Sequence, residues 1–211
     1  MVEFHILNLR DFGKGSYRQI DDAPFGGGSG MVLMAEPLFK AIDHAMDLVG
    51  GPDNVRVIYP SPQGKTWNQD IAEETSQQEK LIVICGHYKG IDERVMEKYV
   101  THEYSLGDFV MTGGEIPAMV MLDSTVRLIP GTLNNLDSAL TDSFSQDLLD
   151  HPHYTHPREI NGMEVPQVLL GGYHAKIEAW RQEQKEKRTQ EKKPDLWRKF
   201  EKLKESEINH A

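Results

Sequence analysis

The sequence contains one cysteine, Cys85, in 211 residues. That excludes an intrachain disulfide and a cysteine-rich zinc site, and it suits a cytoplasmic protein. Long apolar runs are also missing. None is long enough to span a bilayer and no signal peptide is read, so no membrane partner is expected. Positive charge is scarce: 23 Lys+Arg stand against 33 Asp+Glu, a net charge of −10, which by itself argues against nucleic acid. No repeat appears at solenoid periods. Hydrophobic residues make up 38% and charged residues 27%, the balance of a globular chain and not a disordered one.

The scarcity of base is uneven. Residues 1–175 hold 12 Lys+Arg against 25 Asp+Glu, whereas residues 176–204 hold 11 against 6. The C-terminal stretch is a basic patch on an acidic body, or a solvated helical face; charge alone leaves both open.

What the chain does have is glycine at strand ends. Ser105 to Glu115 carries Gly107, Gly113 and Gly114 and offers no helical face, so it reads as strand or tight loop. Leu81 to Tyr88 is an apolar run followed by Gly86, the pattern of a buried strand feeding a loop. Val55 to Gly64 repeats it, with the strand expected over Val55 to Tyr59. Three such segments with helical material between them predict an α/β fold with a parallel sheet whose strand ends converge on one ligand.

Met1 to Leu9 alternates imperfectly and is predicted as a strand. Arg10 to Phe25 is predicted as a loop, leading into Gly26-Gly27-Gly28-Ser29-Gly30. That run is a tight turn or an anchored loop that lies against a ligand. Helices are predicted over 36–49, with Pro37 in the first turn and Gly50-Gly51 as the stop, over 69–80, from about 90, and over 115–129. Gly64-Lys65-Thr66 is not a nucleotide P-loop, because Tyr59 stands where that motif needs its first glycine. Residues 131–156 read as a linker. His151, His153 and His156 look metal-like, but prolines interrupt them and no cysteine is near, so the reading assigns no metal site. Two further helices are predicted from His174 and from Pro194.

With these segments in view, the chain resembles the bacterial tRNA (guanine-37-N1)-methyltransferases of the knotted SPOUT superfamily. Asp21 to Met31 (DDAPFGGGSGM), Ser61 to Gly64 (SPQG), Cys85 to Arg94 (CGHYKGIDER) and Ser105 to Pro117 (SLGDFVMTGGEIP) each resemble a motif of that family. Arg127 to Gly131, Asp142-Ser143-Phe144 and Pro152 to Thr155 follow in the same order. The resemblance covers nearly the whole chain.

It implies a parallel α/β domain with a deep C-terminal trefoil knot over 1–132, a linker over 133–157, and a small helical tRNA-binding domain over 158–211. It implies a homodimer with a composite active site. The methyl donor would be S-adenosylmethionine, held by Tyr59, Pro60, Ser61, Gly86, Leu106, Gly107, Asp108, Phe109, Val110, Met111, Gly113, Gly114 and Pro117. By resemblance Asp142 is the general base and Arg127 the cation at the guanine O6. Ser29 and Gly30 would contact the flipped guanine, and His153, Tyr154, Lys176 and Arg181 would contact tRNA.

The chain also departs from the family pattern. It begins at what looks like the second strand of the family, so an initial strand and helix are expected to be missing and a sheet edge exposed. Lys89 stands where the commonest motif has a Glu thought to help hold Mg2+, and a charged lysine cannot ligate a cation. Two other readings remain: a knotted RNA ribose 2′-O-methyltransferase, and a catalytically impaired tRNA-binding or dimerisation protein.

Overall fold

The computed structural model describes residues 2–132, 142–144 and 147–208. Part of the expected linker, residues 133–141, 145 and 146, lies outside the described residues. The chain divides into two compact units, 1–134 and 135–211.

The first unit opens with a 3-10 turn, Leu9–Phe12, capped by the Asn8 side chain, which accepts from the Arg10 N–H. Strands β1 (Asp21–Asp22) and β2 (Val32–Leu33) pair antiparallel on either side of the glycine loop. The main sheet has β3 (Val55–Thr66) at its centre, flanked by β4 (Lys80–Val83) and β5 (His102–Ser105), all parallel. Between them run helices α1 (Ala35–Leu48), α2 (Gln69–Ser76), α3 (Glu93–Tyr99) and, after β5, α4 (Glu115–Val126).

Side chains alternate across a strand, so β3 feeds two cores. Val57 and Tyr59 join Leu38 and Ile42 of α1 and Val95 and Tyr99 of α3. Ile58, on the other face, joins Ile71 of α2 and Met121 of α4. A parallel sheet is covered on both faces because its crossover helices have to pack somewhere. Each aliphatic side chain buried this way contributes about 1.5–3 kcal/mol against an exposed reference. The helix ends follow local chemistry. Asn68 caps α2 by accepting from the Ile71 N–H, and Asp92 caps α3 by accepting from the Arg94 N–H. α1 stops where Gly50 and Gly51 take positive φ, with the Gly51 N–H bonded to the Met46 carbonyl.

Three expectations are corrected. Residues 2–8 form no strand, and Ile6 is 95% exposed. Alternation makes a strand only where a neighbour offers its backbone, and neither sheet edge pairs with this segment. The helix expected over 69–80 ends at Ser76, because Lys80 is already paired with Val55 in the sheet. β3 runs past Tyr59 to Thr66, with a register slip in which Pro60 and Lys65 both oppose Tyr104. Gly64 makes the return possible. A Cβ there would lie 2.4 Å from the Glu103 carbonyl carbon and the Tyr104 nitrogen.

The second unit holds a small hairpin, β6 (Glu159–Ile160) and β7 (Met163–Glu164), turned by Asn161 and Gly162 at φ 54° and 76°. Helices α5 (Gln167–Leu170), α6 (His174–Lys192) and α7 (Pro194–Ile208) follow, and α6 packs on α7. Leu148 and Thr189 are its only fully buried side chains among the described residues. The Thr189 hydroxyl accepts from the Leu149 N–H at 2.8 Å and so ties that segment to α6. No helix among the described residues is long and apolar enough to cross a membrane.

A candidate binding cleft at the strand ends

A cleft of about 670 Å3 opens in the first unit where the slipped stretch of β3 (Tyr59 to Gln63), the loop after β4 and the end of β5 meet. Parallel sheets place their ligands there, because every loop leaving the strands arrives on the same side.

Its floor is backbone packed on backbone. The Gly114 N–H donates to the Gly86 carbonyl at 2.8 Å. A Cβ on Gly114 would lie 2.7 Å from the Gly86 nitrogen and 2.9 Å from the Cys85 Cα, so no side chain fits. A Cβ on Gly86 would lie 2.8 Å from the Tyr59 ring and hydroxyl. Glycine is therefore required at these two places by contact and not by dihedral freedom. Burial pushes the Tyr59 hydroxyl pKa up and Glu103 adds to it, so the phenol stays neutral. Burial, with the Glu115 charge behind it, also pushes the Cys85 thiol up to about 11. Cys85 is thus a packing group at neutral pH and no nucleophile.

One wall is the loop after β5. Ser105 Oγ donates to the Gly107 carbonyl at 3.0 Å and accepts from the Gly107 N–H at 3.1 Å. Gly107 sits at φ +149°, and the Phe109 ring lies against it. Phe109 and Val110 remain exposed apolar surface. The opposite wall joins the loop after β4 to the glycine loop. The Lys89 N–H donates to the Met31 carbonyl at 3.0 Å, and the Lys89 stem lies where a Gly30 side chain would stand.

A third contact crosses Gly113. His87 Nε2 is 3.0 Å from Glu115 Oε1, and a Gly113 Cβ would meet both side chains within 2.7 Å. The sequence reading did not single out His87 or Glu115. Each lies inside a quoted glycine motif, but neither motif carries a signal that the two side chains meet.

Every donor-contact residue expected from the sequence lines this cleft except Asp108. Gly30 lines it and Ser29 does not. Arg127 follows the last turn of α4 in the first unit and is not in the cleft wall. Asp142, His153, Tyr154, Lys176 and Arg181 belong to the second unit. There His153 bonds Asp150, the Tyr154 ring lies 6.5 Å from Trp180, Lys176 stands over Tyr173, and Arg181 pairs with Glu178.

The cleft is suited to a flat, partly apolar group with polar edges, set against glycine backbone and a buried phenol. Its wall at position 89 presents an ammonium and no oxygen ligand, so that position does not fit Mg2+.

Comparison with known proteins agrees along the chain. A family model described as tRNA (Guanine-1)-methyltransferase TrmD matches residues 1–199. A tRNA (guanine-N(1)-)-methyltransferase of Brevibacillus brevis is 51% identical over 200 residues, covering 95% of this chain and 81% of that protein. One from Clostridioides difficile is 47% identical over 199 residues, 94% of this chain and 86% of that protein. One from Thermosipho africanus is 51% identical over 200 residues, 95% and 79% respectively.

Proposed function

Because the chain belongs to the tRNA (guanine-1)-methyltransferase family, we propose that it transfers a methyl group from S-adenosylmethionine to N1 of guanine 37 in tRNA. One observation carries this reading. The family's glycine motifs, far apart in sequence, converge on a single cleft of about 670 Å3.

The residues present fit the donor. Gly86 and Gly114 leave backbone exposed where any side chain would intrude, and Tyr59, Leu106 and Pro117 supply apolar faces for an adenosine. When bound, S-adenosylmethionine supplies a methyl group on a positively charged sulfur. The donor subsite comprises the cleft residues with Asp108 at its margin.

Guanine N1 carries a proton at neutral pH and is a poor nucleophile until that proton leaves. In our reading the Asp142 carboxylate takes it as N1 accepts the methyl group. Arg127 stabilises the negative charge that develops on O6. Gly30 and Ser29 receive the guanine after it leaves its stack, as enzymes acting on base atoms require. His153, Tyr154, Lys176 and Arg181 contact the tRNA backbone, a salt-dependent contribution. No step is assigned to Mg2+.

Asp142 reaches the cleft, in this proposal, from the second copy of a homodimer. The exposed apolar face of α4 supports that assembly: Ile116, Met119 and Val120 lie on one helical side and are 60%, 68% and 44% exposed. The loops around the cleft form the deep trefoil knot of the superfamily. The domains are 1–132 for the donor, 133–157 as linker and 158–211 for tRNA.

The test is transfer of tritium from labelled donor to tRNA transcripts carrying G or A at position 37, followed by nucleoside digestion. The expected product is 1-methylguanosine from the G transcript alone. A methylated ribose in the digest, or tRNA binding with no transfer, overturns the reading.

A further inference from the structure

Within the second unit, Asp150, His151 and His153 converge. One donor atom from each lies within 4.8 Å of the others. His153 Nε2 is 2.8 Å from Asp150 Oδ2, and His151 Nε2 is 3.8 Å from Asp150 Oδ1. The two imidazoles therefore address different oxygens of one carboxylate. Their rings lie 4.4 Å apart with Pro152 between them in sequence.

The tautomer of His151 is set by its neighbour. Its Nδ1 is 3.1 Å from the Pro152 carbonyl oxygen. A carbonyl only accepts, so Nδ1 presents its N–H there, and in the neutral ring it is Nε2 that holds the lone pair. That lone pair faces Asp150 Oδ1, another acceptor, across a gap too long for a hydrogen bond. Two acceptors turned toward each other gain from a cation between them. Lys185 Nζ, 4.0 Å from Asp150 Oδ1, is the positive charge already nearby; it opposes a second cation and lowers its affinity without blocking the imidazole nitrogens.

The segment that presents these groups is anchored. The Asp150 N–H donates to Ser143 Oγ at 3.0 Å, the Leu149 N–H donates to the buried Thr189 hydroxyl, and Leu148 is buried. The His151 ring rests edge-on against Trp180 at 6.4 Å. Ligand atoms around one ion with bonds of about 2.0–2.2 Å sit closer together than 4.8 Å, and the exposed His153 ring can swing to close the set. Two imidazole nitrogens and a carboxylate favour borderline first-row ions over Mg2+ or Ca2+, which prefer oxygen.

We propose that Asp150, His151 and His153 form a binding site for a first-row divalent metal ion of the Zn2+ type, with water completing its coordination. All three ligands belong to the second unit.

The test titrates the full chain, stripped with chelator, with Zn2+ by calorimetry and with Co2+ by visible absorption. One ion per chain is expected, and a tenfold excess of Mg2+ is expected not to displace it. Asp150→Asn and His151→Ala are each expected to weaken binding at least tenfold. His153→Gln keeps an N–H donor for Asp150 but loses the ring nitrogen. It is expected to leave the melting temperature unchanged while weakening Zn2+ at least tenfold. Cu2+ is expected to quench the fluorescence of Trp180, and Trp180→Phe to remove that quenching. Absence of saturable Zn2+ binding to the unaltered chain overturns the proposal. So does equal binding by His153→Gln, which would place the ion elsewhere on the surface.

Discussion

The two units of the chain hold their functional groups by different means. In the first, the strand-end loops are fixed by contacts that leave no space: a Cβ added at Gly64, Gly86 or Gly114 would lie within 2.8 Å of an atom of a neighbouring segment. Two apolar clusters, one on each face of β3, stand behind them. In the second unit only Leu148 and Thr189 are buried among the described residues, and basic groups such as Lys176, Lys187 and Arg198 are exposed on α6 and α7. A site made by excluded volume fails abruptly when a single atom is added. A surface made of long charged side chains loses strength by increments, and salt competes with it.

That contrast can be tested at four places. The largest effect is expected at Asp142, which the proposed chemistry makes an exception in the second unit. Asp142→Ala is expected to lower turnover by about 10²–10⁴-fold with donor affinity nearly intact. Single-turnover methylation beside donor calorimetry measures this, and equal loss of both removes Asp142 from the base role. Next comes Gly114→Ala, whose Cβ overlaps the Gly86 nitrogen. A donor affinity loss of roughly 100-fold is expected, with destabilisation of about 1–3 kcal/mol from overpacking. Calorimetry and thermal unfolding read the two, and an unchanged donor Kd would show that the floor is not rigid.

Cys85 offers a milder probe of the same floor. With its pKa pushed up to about 11, the only thiol of the chain is expected to alkylate on the order of 100-fold more slowly at pH 8 than a free thiol of pKa about 8.5. The sign for stability follows. The folded pKa is raised, so this contribution is whole below about pH 8.5 and is lost as pH rises through about 11. Rapid alkylation of the native chain would contradict the packing described. The smallest effect is expected at Lys176→Ala: a few-fold weaker tRNA binding, a salt slope reduced by about one, and unchanged donor affinity. A loss independent of salt would argue for a shape contact instead.

Much of the first unit could be read from residues. Pro37 and the Gly50-Gly51 stop bracket α1 in the structure almost where they do in the sequence. The apolar runs at 55 and 81 become neighbouring strands, and three glycine motifs become the lining of one cleft. Residues 2–8 misled because alternation reports a capacity to pair and not a partner. The continuation of β3 to Thr66 was hidden because Pro60 and Pro62 look like strand breakers, yet both lie in a stretch that bulges at a register slip. The Asn161-Gly162 turn was legible and passed over, although that pair is a strong hairpin signal. Nothing in the sequence places Asp150 beside both histidines. In the fold Pro152 supplies the carbonyl that orients His151.

The sequence by itself determined the family, the residues able to bury a parallel sheet, and the positions where backbone must lie bare. These follow from composition and local order, which each segment carries with it. Tertiary structure alone decided that Gly86 rests on Tyr59, that His87 meets Glu115 across Gly113, and that His151 and His153 share one carboxylate. Such meetings depend on where turns aim the chain over distances of a few ångströms, and no local pattern encodes that direction.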